Sequence, residues 1–182
     1  MTDLDFITDS QLKKTLEDSV EYIYTLYEQS KSLEEKPLYK EETYRVIILY
    51  VISAIEAVLM FFFKERDEKI TFCEYKYVEI LSEKYNHREK SNLPVVIAVQ
   101  QVTEKKEHQI GLYDLVTFYR DKKLIQEKTA QDILELNDVR NTFHFSKPRV
   151  KECDVEKVES ALNLLLRTIE KAPVALKIRK EN

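Results

Sequence analysis

Apolar residues recur at helical spacing over most of this chain, and the places where the period breaks divide it into elements. Thr8 and Ser10 are both suited to cap a helix, and from there to about Glu34 the residues Leu12, Leu16, Val20, Ile23 and Leu26 fall near a 3.6-residue period. One amphipathic helix with a charged outer face is predicted. Pro37 breaks the pattern, and a second helix is predicted from about Lys40 to Arg66. Its stretch from Val46 to Phe63 is apolar except at Ser53 and Glu56. A helix that is apolar nearly all round is either the buried centre of a bundle or a membrane span. Glu56 lies in the middle of the run, where a bilayer would charge roughly 2.5–3.5 kcal/mol for it. No second apolar segment accompanies it, so the pattern favours a central core helix, whose surplus apolar surface could also form a dimer interface.

The segment from Ile70 to Gln109 reads differently. ITFCEYKYVEIL and LPVVIAVQQV are rich in β-branched and aromatic residues, and the polar YNHREKSN lies between them. That arrangement is compatible with a short hairpin or with a pair of strands inserted among helices, and the period does not decide between them. Helical spacing returns with LYDLVTFYRDKKLI from Leu112. Thr129 is positioned to cap a helix that carries TAQDILELNDVRNTFHF to a stop at Pro148. A last helix is expected from about Asp154 to Lys171, ending before Pro173, with a basic tail over 173–182. The reading is one domain, 1–182, mainly α: an up-and-down bundle of about five helices with a β-hairpin insertion in 70–109.

Composition sharpens this picture. The single Gly and four Pro leave an all-β fold without its usual punctuation. The net charge of -4 argues against a dedicated, non-specific nucleic-acid coat, while leaving room for a local basic site. Cys73 and Cys153 have no neighbouring Cys or His at metal-ligand spacing, so reduced thiols are expected, with no metal and no cofactor. The acidic start MTDLDFITDS lacks the features of a secretory signal, so a cytoplasmic protein off the membrane is expected. Eleven Tyr and eight Phe could stack on bases, but their places in periodic apolar stretches assign them to the core. His87 and His108 sit in charged surroundings and read as surface histidines.

The stretch LELNDVRNTFHFSKPR, residues 134–149, is where chemistry is expected. On a continuous helix Asn137, Arg140 and His144 share one face, with Asn141 beside them. A guanidinium forks onto phosphate oxygens and an imidazole titrates near neutral pH, so the pair can hold a phosphodiester and move a proton. Lys147 and Arg149, with Lys151, lie just beyond and could steer phosphate, or simply suit a helix end. The bland reading of Arg140 and His144 is a helix-end pair with local hydrogen bonds. Glu56, with Ser53 and Arg45, forms a thin polar strip on the apolar helix. A buried carboxylate there calls for a cation, Arg45 or Arg140, either as a structural pair or in support of the Arg140 and His144 site.

Arg140, Asn141 and His144 resemble the motif of the HEPN superfamily, in which an Arg, usually followed by Asn, precedes a His near the end of a late helix. YVISAIEAVLMFF is similar to that family's alanine- and glutamate-bearing central helix. The resemblance covers the first, second, fourth and fifth predicted helices, about two thirds of the chain, and leaves the middle segment unmatched. It implies a helical bundle that dimerises so that two Arg/His faces meet in an RNA-binding cleft, with Arg140 and His144 catalytic and Asn137, Asn141, Lys147 and Arg149 binding substrate. The chain departs from the motif in spacing. Three residues separate Arg140 from His144 where the family has four to six, and the six-residue spacing would place the Arg at position 137, which is Asn137. Two functions therefore stand side by side: a metal-independent endoribonuclease of a defence or toxin-type system, or a non-catalytic RNA- or nucleotide-binding module, with a nucleotidyltransferase-like protein as a candidate partner.

Overall fold

The computed structural model describes residues 4–86, 94–142 and 153–177. It contains five α-helices and one two-stranded antiparallel sheet, in the order α1 (Ser10–Ser30), α2 (Pro37–Glu65), β1 (Thr71–Asn86), β2 (Pro94–Glu104), α3 (Leu112–Asp121), α4 (Glu127–Asn141) and α5 (Val155–Lys177). The fold is mainly α, as the hydrophobic pattern predicts, and the two strands form a β-hairpin. The chain packs as two compact units, Met1–Asp67 with Gly111–Asn182, and Glu68–Ile110.

In the helical unit α2 is the centre, and α1, α3, α4 and α5 all pack against it. That is why its apolar residues are not confined to one stripe. Ile47, Ile48, Val51, Ile52, Ile55 and Val58 are fully buried, and each such side chain contributes about 1.5–3 kcal/mol relative to exposure. Among the described residues α2 is the one helix long and apolar enough to cross a membrane, and 61% of its apolar window is buried by the helices around it. The outer helices bury narrower faces: Leu16 and Ile23 of α1, Leu115 and Val116 of α3, Ile133 and Val139 of α4, Val158 and Ile169 of α5. The Tyr119 hydroxyl donates to the Leu59 carbonyl at 2.8 Å, tying α3 to α2 inside the core.

Several helix ends differ from the sequence pattern. Asp9, not Thr8 or Ser10, caps α1, its carboxylate accepting from the Gln11 and Leu12 amides at 3.0 Å. Pro37 does not precede α2 but opens it at the first helical position, where its missing N–H costs nothing. Gln126 is the N-cap of α4, and Thr129 falls inside the first turn. Asp154 caps α5 by accepting from the Lys157 amide at 2.8 Å. Pro173 does not end that helix but lies within it. A proline late in a helix removes one backbone bond, to the carbonyl four residues earlier, and the packed turns before it carry the helix past that loss.

The second unit is the hairpin. Its strands are 16 and 11 residues long, and the register pairs Cys73 with Val102, Tyr75 with Gln100 and Tyr77 with Ala98. Those six side chains share one uncharged face, and Tyr75 and Tyr77 are 73% and 61% exposed. The other face carries Glu74 and Lys76. Register shifts follow Tyr77, Ile80 and Ser82, where the longer strand accommodates extra residues as bulges. The polar loop that contains His87 lies outside the described residues.

Candidate functional site

The last turn of α4 faces the middle of α2. Leu136 and Val139 turn into the core and fix the rotation of α4. Arg140, one position further on, therefore emerges at the edge of the α2 contact. Its Nη1 donates to Glu56 Oε2 at 3.0 Å, joining residues 84 apart in sequence. Both side chains are partly covered, 27% exposed for Arg140 and 30% for Glu56. The expected pairing of Glu56 with a cation is present, and the cation is Arg140. Full burial of Glu56 is not observed, because α2 turns its Val46, Leu49, Tyr50 and Ser53 side outward and Glu56 sits at the margin of that open strip. Arg140 at the C-terminal end of α4 also meets the negative end of the helix dipole.

Arg45 is not Glu56's partner. Eleven residues of helix separate the two by about 16 Å along the axis. Arg45 is buried and instead binds Glu41 on its own helix, with Glu42 at 3.9 Å. This pair was legible as a Glu to Arg spacing of four, the favourable order on a helix. Cys153 lies close by and is buried. Burial pushes its thiol up from the ordinary range, while the Arg45 charge pulls the other way less strongly. Ser53 is exposed and bonds its own helix, donating to the Leu49 carbonyl at 2.9 Å.

Asn137 lies one turn before Arg140 on α4. Its Oδ1 is buried and has no hydrogen-bond partner among the described residues. A buried amide oxygen without a donor is uncommon, and it calls for one. Asn141 is the final residue of α4 and is exposed. The helix closes there, with Thr142 as C-cap, its hydroxyl donating to the Val139 carbonyl at 2.7 Å. The continuous helix through His144 that the sequence pattern suggests is thus cut short. His144, Lys147 and Arg149 lie outside the described residues. The structure therefore brings together Glu56, Arg140 and Asn137, with Asn141 at the helix end.

Chemically, one arm of the Arg140 fork is held by a carboxylate, which fixes the guanidinium plane. The buried atom one turn away, Asn137 Oδ1, is an acceptor and calls for a donor, not an anion. The free edge of the guanidinium can receive an oxyanion, since Arg presents five donors in a rigid fork. The sequence matches no protein-family model and no curated protein, and the fold matches no solved structure.

Proposed function

We propose that this chain is a HEPN-like RNA-directed protein whose site is built on Arg140, Asn141 and His144, acting as a metal-independent endoribonuclease in the cytoplasm. The observation that carries the reading is the Arg140–Glu56 pair. It ties the arginine of the family-like motif to the glutamate of the apolar central helix and pre-orients a phosphate-binding group. In the proposed reaction the substrate's own 2′-hydroxyl attacks the adjacent phosphorus and the 5′-oxygen of the next nucleotide leaves. His144 moves the proton, a role worth roughly 10²–10⁴ in rate. Arg140 holds the phosphate and stabilises its growing charge, and Asn141 orients it. Lys147 and Arg149 draw the backbone toward the cleft.

The same proposal includes a homodimer. The open strip of α2, with Val46, Leu49 and Tyr50 each between 36% and 39% exposed, runs beside Glu56 and supports a symmetric contact that would set two Arg140 sites near one axis. The test is incubation of purified protein with mixed-sequence RNA in excess EDTA. Cleavage that leaves 2′,3′-cyclic phosphate ends, and that His144→Ala and Arg140→Ala both abolish, supports the enzyme.

A second reading is favoured by one observation, the buried Asn137 Oδ1 without a partner among the described residues, at the position where a longer motif spacing would place arginine. In that reading the protein binds RNA or a nucleotide without cutting, in an assembly with a nucleotidyltransferase-like partner. Binding without cleavage, with cleavage restored by Asn137→Arg, would select it. Neither binding nor cutting of any RNA would end both readings.

A further inference from the structure

A cavity of about 370 Å³ opens in the helical unit at the far end of α4 from Arg140. Its lining on α4 runs from Gln126 to Ile133, fourteen to seven residues before Arg140, about 21 to 10 Å along the helix. Leu59 and Phe62 of α2, Tyr119 of α3 and Ile133 of α4 form its apolar floor. The volume lies in the range of small-molecule sites, which are typically apolar with a few placed polar groups.

The polar groups within reach are of two kinds. In the wall, the Tyr119 hydroxyl donates to the Leu59 carbonyl and the Thr168 hydroxyl to the Leu164 carbonyl, each at 2.8 Å, and the uncharged Gln126 and Thr129 complete the lining on the α4 side. Those at the rim are cations. Arg66, Arg167 and Lys171 line the cavity and, among the described residues, no Asp or Glu does, although the chain as a whole has 33 acidic against 29 basic residues. Arg167 and Lys171 stand four apart on α5, so they share a face, and neither has an ion pair among the described residues. An apolar body matches the floor and a negative head matches the rim.

We propose that this cavity binds a small amphipathic anion, of the size and charge of a medium-chain alkyl carboxylate. The hydrocarbon lies against Leu59, Phe62 and Ile133, and the carboxylate sits between Arg167 and Lys171. The site stands apart from Arg140 and does not depend on any nuclease activity.

The experiment is calorimetric titration of the full chain with decanoate and, separately, with decanol, both below their aggregation limits. Decanoate should bind saturably with a dissociation constant on the order of 1 mM or tighter. Decanol should bind at least tenfold more weakly. The double variant Arg167→Gln, Lys171→Gln alters only exposed side chains and should weaken decanoate at least tenfold while leaving decanol unchanged. Thr129→Trp, a half-exposed position on the wall, should block both, with unchanged circular dichroism confirming the fold. Absence of saturable decanoate binding overturns the proposal. Equal binding of decanol, or indifference to the charge changes, overturns the anionic head. Binding that survives Thr129→Trp places the ligand elsewhere and overturns the site.

Discussion

Replacing Glu56 by Gln removes the carboxylate that holds Arg140 and leaves the guanidinium half-covered beside a neutral amide. At the observed 3.0 Å the attraction is about 5 kcal/mol at an effective dielectric near 20. Most of that is offset by taking two charges partly out of water. Fully exposed pairs retain about 0.2–1 kcal/mol, and hydrogen bonds to charged groups about 1.5–3 kcal/mol. With 27% and 30% of the two side chains still exposed, a coupling of about 1–2 kcal/mol is expected. This is well below the roughly 3–5 kcal/mol lost when one partner of a fully buried pair is removed, because water still reaches the group left behind. The assay is a double-mutant cycle of Glu56→Gln and Arg140→Met, each unfolded in urea and followed by far-ultraviolet circular dichroism, which reports the helical unit. Each single change should lower the urea midpoint by its loss of stability divided by the denaturant slope, about 1–3 kcal/mol per M. The double variant should lose less than the sum of the two. A coupling below about 0.4 kcal/mol, the ordinary scatter of additivity, would refute the claim that the pair binds α4 to α2.

Other outcomes follow from single features. Asp9→Ala should cost about 1 kcal/mol through loss of the two amide bonds at the start of α1, while Asp9→Asn should cost much less, as urea midpoints would reveal. Exposed Cys73 should react with a thiol reagent at once and buried Cys153 only on unfolding; equal rates would contradict the burial. Because burial raises the Cys153 thiol, the unfolded chain ionises first as pH rises. Stability should therefore be unaffected by this group below the ordinary thiol range and fall above it, a slope that Cys153→Ala should remove. Leu49→Asp, at a 39% exposed position on the open strip of α2, should convert a dimer to a folded monomer in light scattering; a wild-type monomer at micromolar concentration would end the dimer proposal.

Much of this protein is legible in one dimension because the period of its apolar residues is local information. The helical spacing of Leu16 and Ile23, the all-round apolar run of α2 and the β-branched stretches of the hairpin each reflect how much of an element's circumference will be covered. The ends were less legible. Pro37 and Pro173 look alike as breakers, yet one opens a helix and the other lies inside one, since the outcome depends on which backbone bond is missed and on the packing around it. Glu56 was readable as a carboxylate in need of a cation, because an apolar helix makes an unpaired charge costly. Which cation it would find was not readable. Arg45 shares its helix and Arg140 lies 84 residues away, and only the packing of α4 against α2 brings the distant one to 3.0 Å while the helical rise keeps the near one out of reach. The cavity and its cationic rim were equally invisible, because Arg66 and Lys171 come to line one cavity only when α5 packs against α2. Sequence determines what each element must bury; tertiary structure decides which partner satisfies it.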